Sequence, residues 1–209
     1  MNRTFAPFFV LALALSPLLA VSAKAQTSFS LDGASFTMSL PPGFVAIPTL
    51  ELYAFEHPGQ SGPIKPEELA LFRKTRLGFQ VPAEKWFTLP YLIITLESGK
   101  KRGPQDLFMD HVMAEKDAEA QSPGEGYRFM GKEHTPTKRM HYYKDVGFSA
   151  AQGKKVAMGV YTYLTSRGFL RVAWFVGEDQ LKDWEPVLHQ AGMSVKLSPG
   201  LEYKPESEQ

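Results

Sequence analysis

The chain predicts an α+β fold: a mainly antiparallel β-sheet covered by helices, α/β/α sandwich-like, in a single domain. Three observations carry this. Four extended segments follow one another between residues 127 and 176 with no helical pattern between them. Two stretches, residues 105–121 and 183–191, have the composition and spacing of amphipathic helices. The last pair of extended segments is apolar on both faces. Val156, Met158, Val160 and Leu164 alternate with Tyr161 and Tyr163, and Phe169, Ala173 and Phe175 alternate with Leu170, Val172 and Trp174. Neither face of such a hairpin can stay in water, so each needs a cover.

The first element is a secretory leader at residues 1–25. Arg3 supplies a short positive start and residues 5–21 are almost wholly apolar. Ala23-Lys24-Ala25 then has the small-x-small pattern of a cleavage site. A cut between Ala25 and Gln26 takes 25 residues from 209 and leaves 184. It also removes Arg3 and Lys24, so 23 basic against 22 acidic residues becomes 21 against 22. The expected organisation is a leader at 1–25, a globular domain at 26–197 and a polar C-terminal tail at 198–209. The expected localisation is periplasmic or secreted, with no membrane span after cleavage, because no second stretch approaches the roughly 20 apolar residues a bilayer requires.

Composition narrows the function. An even charge balance argues against bulk electrostatic binding of nucleic acid. The absence of cysteine excludes disulfides, thiol nucleophiles and thiolate metal sites. With 44% hydrophobic and 12% aromatic residues, burial alone can hold the domain together.

Within the domain, alternating segments at 28–31 and 35–40 flank Asp32-Gly33, a hairpin turn. Pro41-Pro42-Gly43 stops the second segment, residues 44–47 resume an extended run, and residues 52–55 read as a further strand. Residues 57–66, with three prolines and two glycines, form a loop. The stretch 67–79 stays open: Pro66-Glu67-Glu68 starts like a helix, while 71–79 also fits an extended run. Residues 91–96 are β-branched and apolar on both faces, as in a central strand. A polar crossover at 98–103 leads to Pro104, which suits a helix start, and Ser122-Pro123-Gly124 ends that helix.

The extended segments at 127–134, 140–148, 156–165 and 169–176 follow, the last two joined through Ser166-Arg167-Gly168. The final helix is expected to cap at Asp183, which puts Pro186 in the first turn where its missing N–H is not needed. Trp184, Val187, Leu188 and Ala191 then share one face, Gly192 stops the helix, and residues 193–197 form a closing strand. Residues 198–209 read as a disordered tail.

The opening Phe36-Thr37-Met38-Ser39-Leu40-Pro41-Pro42-Gly43-Phe44, the hairpin around Arg167-Gly168 and the ending at 184–197 follow one another in an order that resembles PsbP-like and DcrB-like proteins. The resemblance covers residues 28–197, and the stretch 60–84 departs from it. It implies an α/β/α sandwich in an accessory or binding protein, with no catalytic residues to carry over.

Chemistry-bearing candidates are few. Gly59-Gln60-Ser61-Gly62 lacks the last glycine of a nucleophile elbow. Gly147, Gly153 and Lys154-Lys155 miss both the spacing and the hydroxyl of a phosphate loop. A metal would have to use His57, His111, His134, His141, His189 and carboxylates. His111 and Glu115, four apart on one helix, are the best local pair, with Asp110 nearby. The run Phe108, Met109, Val112 and Met113 places the buried side of that helix to one flank, which leaves His111 and Glu115 as a surface pair. A turn at 135–139 can bring His134 and His141 together across adjacent strands. Asp145 stands in an aromatic strand beside Tyr142 and Tyr143 and reads as a paired or edge aspartate. Among the basic clusters, Lys100, Lys101 and Arg102 precede the helix start at Gly103-Pro104. They are the expected ligand-binding residues, since unpaired N–H groups there favour an anion.

These residues together point to an exported, non-catalytic accessory or interaction protein of the bacterial cell envelope, binding a protein partner or a small anionic ligand and using no cofactor. The alternatives are a metal-dependent hydrolase built on histidines and carboxylates, and a protein that holds an apolar ligand between the sheet and the 105–121 helix. Mass spectrometry of protein exported by a bacterial host should give a mass beginning at Gln26, and an intact Met1 would remove the leader.

Overall fold

The computed structural model describes residues 26–205 apart from 61, 100, 101 and 125; the leader expected at 1–25 and residues 206–209 lie outside that range. The chain opens with the hairpin β1 (Thr27–Leu31) and β2 (Ala34–Met38), turned by Asp32 and Gly33 in the left-handed region at φ 48° and 74°. There follow β3 (Val45–Ala46), α1 (Thr49–Glu56), α2 (Pro66–Thr75), β4 (Arg76–Gln80) and β5 (Tyr91–Ser98). Next come α3 (Pro104–Gln121), β6 (Arg128–Thr135), β7 (Met140–Ser149), β8 (Lys154–Thr165) and β9 (Gly168–Gly177). The last elements are α4 (Leu181–Met193) and β10 (Lys196–Leu197).

Seven strands make one sheet in the order β3-β4-β5-β9-β8-β7-β6, with every neighbouring pair antiparallel. β1, β2 and β10 make a second, three-stranded sheet. The large sheet is covered on both sides, as its apolar central strands demand. Against one face lie α1, α2 and α3, which bury Tyr91, Ile93, Tyr143, Met158, Val160 and Phe169. Against the other lie α4 and the small sheet, burying Leu92, Ile94, Tyr161, Leu170, Val172 and Trp174 with Leu31, Phe36, Met38 and Leu188. The expected α+β architecture is therefore the observed one.

Several local expectations are corrected. Residues 52–55 are helix, not strand. Four residues cannot distinguish a period of 2 from one of 3.6, and α1 forms because Leu52, Tyr53 and Phe55 pack on Phe72, Phe87 and Tyr91. The open stretch 67–79 is both elements in succession, α2 and then β4. The β8–β9 turn has two residues, Ser166 and Arg167, since Thr165 pairs with Gly168 directly.

The last helix starts two residues earlier than Asp183, because a 3₁₀ turn at Glu178–Gln180 runs straight into it and leaves Pro186 inside. Proline there removes the bond to the Lys182 carbonyl, and both residues are on the exposed side where water can replace it. Gly192 does not stop this helix. It lies in the last turn against Tyr161, where an added Cβ would stand 2.1 Å from the ring. Nor are residues 198–205 disordered. Leu201 is fully buried, Ser166 donates its N–H to the Leu201 carbonyl at 2.9 Å, and Glu202 bridges Thr165.

Among the described residues, no helix is long and apolar enough to cross a membrane.

Gly192→Ala should lower stability by about 1–3 kcal/mol, despite alanine's better helix propensity, because the methyl drives into the Tyr161 ring. Gly200→Ala, with open space around it, should leave the melting temperature unchanged in the same thermal scan.

Candidate functional site

α3 begins on a cap built from its own residues. Pro104 takes the first position, and the Asp106 carboxylate accepts the Gly103 N–H at 2.7 Å. Arg102 lies 3.9 Å from Asp106 and rests its guanidinium 5.2 Å over the Phe169 ring. Lys100 and Lys101, the other two expected ligand-binding residues, lie outside the described residues.

The orientation of α3 reverses the sequence expectation. Its inward side carries Leu107, Asp110, His111, Ala114 and Ala118, a stripe spaced by threes and fours. Phe108, Met109, Val112 and Met113, expected to mark the buried flank, are 37–47% exposed. His111 and Glu115 are not a surface pair: His111 turns towards the sheet, and Glu115 stays exposed with its carbonyl accepting the Tyr127 hydroxyl at 3.3 Å.

What holds α3 this way round is a charged network. Asp110 accepts a hydrogen bond from His141 Nε2 on one oxygen and from Arg171 at 2.7 Å on the other. Arg171 also donates to Glu97 at 2.8 Å and to the Thr162 hydroxyl at 3.4 Å. Burial pushes the Asp110 carboxyl up, but the His141 hydrogen bond and the Arg171 charge outweigh it and hold it below the ordinary carboxylate value. Burial likewise pulls on Arg171, and the Asp110 and Glu97 charges more than offset it. Cross-strand register places these groups together: Thr162 pairs with both His141 and Arg171, and Thr95 pairs with Arg171.

Three histidines gather at the same place. His134 and His141 are directly paired across β6 and β7, as the short turn predicts, with Arg139 at φ 48° closing it. The His111 ring lies 5.3 Å from that of His134 and 5.6 Å from that of His141. His141 is fully buried and spends its Nε2–H on Asp110, while its Nδ1 and the Nδ1 of His111 are buried without a hydrogen-bond partner. Burial, with His141 and Lys132 close by, lowers the His111 pKa. Among the described residues, no group of three or more histidine and acidic side chains stands in a geometry that holds a metal ion. The remaining histidines are apart: His57 stacks on Tyr53, and His189 bonds the Tyr161 hydroxyl at 2.7 Å.

Asp145 is neither paired nor at an edge, which corrects the sequence expectation. It is fully buried on β7, the second strand from the sheet edge, on the same face as His141 and Tyr143, and neither carboxylate oxygen has a partner. Burial pushes its pKa up to about 7. The sequence signal for this group was its place in an aromatic strand. The Arg171 network had no such signal, because its members are 9 to 74 residues apart and lie on four strands and a helix.

Beneath α3 these groups border an open cleft of about 490 Å³, walled by Asp110, Ala114 and Asp117 from the helix and by Glu97, Tyr143 and Arg171 from the sheet. A larger groove of about 760 Å³ lies at the other end of β8, where Lys138, Arg139, Lys196 and Lys204 meet Glu202 and Tyr203. Arg139 there is committed to Tyr203, by a hydrogen bond to its carbonyl and a ring contact at 5.1 Å. The near-elbow at 59–62 offers no strand-to-helix turn: Gln60 accepts the Tyr53 hydroxyl at 2.9 Å, and Ser61 lies outside the described residues.

No family model matches the chain, and no curated protein sequence matches it. Solved structures with a similar chain path include the Ran-binding protein Mog1p of Saccharomyces cerevisiae, at TM-score 0.46 and 13% identity over 84% of this chain and 96% of that one. Cyanobacterial PsbP from Synechocystis sp. PCC 6803 is similar at TM-score 0.41 and 12% identity, over 88% and 99%. LpqN of Mycobacterium tuberculosis, involved in cell envelope biogenesis, is similar at 0.42 and 12%, over 84% and 91%. At these identities no residue role passes from them to this chain.

Asp145 binds its proton more tightly folded than unfolded, so stability falls as pH rises from 3.8 through about 7. Asp145→Asn should therefore raise stability by about 2–4 kcal/mol at pH 8 and leave it nearly unchanged below pH 4, read by urea melts at both values. A variant less stable than the parent at pH 8 would show that the carboxylate is satisfied.

Proposed function

We propose that the protein is an exported, non-catalytic interaction protein that docks a protein partner on the outer face of α3. One observation carries this reading: Phe108, Met109, Val112 and Met113 stand exposed together on a helix that buries only Leu107, Ala114 and Ala118 of its apolar side chains. Residues at these spacings form a single stripe along a helix, and Met130 of β6 is also exposed on the neighbouring strand. A contiguous patch of this kind marks an interaction site, and its flexible methionines suit a surface that adapts to its partner. Taking it out of water gains about 25 cal/mol for each Å² covered. The exposed Asp106, Glu115 and Lys116 supply a polar rim.

The non-catalytic part of the reading is supported by the state of the buried polar groups. Asp110, His141 and Arg171 are spent on one another and on the half-exposed Glu97, and the Asp145 oxygens are sealed from water. The envelope setting rests on the leader at 1–25. A small anion at Lys100, Lys101 and Arg102 remains a secondary proposal, with Arg102 already near Asp106.

The test is site-specific crosslinking in the native cell. A photo-crosslinking phenylalanine analogue in place of Met109 should trap one protein species that the same analogue in place of Leu71, 65% exposed on α2, does not. Val112→Glu should abolish that crosslink while shifting the melting temperature by no more than about 2 °C. Equal trapping from both positions, or trapping that survives Val112→Glu, would sink the docking surface.

A further inference from the structure

We infer that the cleft between α3 and the large sheet is a binding site for a small organic cation with an apolar body, such as an aryl or branched alkyl ammonium. This does not rest on the docking surface, which lies on the opposite side of the helix. The volume of about 490 Å³ falls in the range of small-molecule sites, which are apolar with a few directed polar groups. The floor here is apolar, formed by Ile93, Met158, Val160, Ala173 and Phe175. The polar wall carries three carboxylates, Glu97, Asp110 and Asp117, against one cation, Arg171.

The pairing of those charges sets the sign of the ligand. Arg171 is spent on Glu97 and Asp110, at 2.8 Å and 2.7 Å, so an entering anion meets no free positive charge. Asp117 has no ion-pair partner among the described residues, and its charge is close enough to act on Tyr143 across the cleft. Ala120 and Gln121 of the last turn of α3 line the same end, and that turn has no basic residue to offset the negative pole of the helix.

The second, independent observation is Asp145. It follows Tyr143 on the same face of β7 and pairs directly across from Met158, and both of those residues line the cleft. Its carboxylate is fully buried, has no hydrogen bond and does not itself line the cleft, so it is an uncompensated acid immediately beside the lining residues Tyr143 and Met158. In a medium poorer than water in screening, such a group draws a cation and repels an anion over several ångströms. A buried acid without a partner is costly unless it is neutral or a counter-charge arrives. An ammonium on the Asp117 side of the cleft supplies that charge, while the ligand's apolar body covers Phe175, Ala173 and Val160.

The experiment uses 2-phenylethylamine, which is a cation at pH 8, and phenylacetate as its anionic counterpart, titrated calorimetrically into the mature protein. The amine should bind with a dissociation constant of about a millimolar or better, and phenylacetate at least tenfold more weakly. Asp117→Asn should weaken the amine by roughly threefold and Asp145→Asn by roughly tenfold. Ala173→Phe, which fills the half-buried floor, should abolish binding; circular dichroism checks that each variant is folded. Phenylacetate binding as tightly as the amine would overturn the charge assignment. Amine binding unchanged in Ala173→Phe would place the ligand elsewhere, and no heat up to about 20 mM amine would remove the site.

Discussion

The structure depends on one hairpin that is buried on both faces. β8 and β9 occupy the middle of the large sheet, with ten residues of each in register from Val156–Gly177 to Thr165–Gly168. Alternate residues face opposite ways, so one set builds the core beneath α4 and the small sheet and the other lies beneath α3. The hairpin tolerates this only through close approaches. Gly159 lies under the Trp174 indole, where a Cβ would stand 2.3 Å from the ring, and Gly192 lets α4 come down onto Tyr161. Both glycines are where they are because large aromatic side chains take the space a methyl would need.

The two covers are unlike each other. The α4 side is an aliphatic and aromatic core that includes Leu31, Phe36, Met38, Leu170 and Trp174. On the α3 side the helix offers Leu107, Ala114 and Ala118 beside Asp110 and His111, and the sheet answers with His141, Tyr143, Asp145 and Arg171. Small side chains and paired charges fill the gap less completely than a hydrophobic interface would, which leaves the cleft. The same choice sends Phe108, Met109, Val112 and Met113 of α3 outward. The cleft and the exposed stripe are thus two results of one helix orientation, fixed by the Asp110–His141–Arg171 network. That network's buried charges are retained at a cost in desolvation that well-packed apolar groups would not incur.

Much of the fold was legible from local pattern. The central strand at 91–98, the helix from Pro104 to Gln121 and the four consecutive strands appear within a residue or two of where periodicity puts them. Errors fell where the pattern was short or where distant chain intervened. Residues 52–55 were too few to show a period, and α1 is helical because Phe72, Phe87 and Tyr91 receive it. The C-terminal residues are polar as a sequence, yet Leu201 is held by the β8–β9 turn and Tyr203 by Arg139. Pro186 pointed to a later helix start, and the solvent beside Lys182 made an earlier one tolerable.

For the site, the sequence by itself determined which residues were available. It placed His134 and His141 across a short turn, marked Asp145 as an odd acid in an aromatic strand, and supplied four large apolar residues on one stripe of a helix. Which way that helix faces was decided only by tertiary structure. Rotation of a helix about its own axis is set by whatever it meets. Here Asp110 meets Arg171, 61 positions away, and His141, 31 positions away. Local hydrophobicity favoured burying Phe108, Met109, Val112 and Met113. The ion pair and hydrogen bond could form only with the other face inward, and no periodicity within residues 104–121 encodes a partner that lies on another strand.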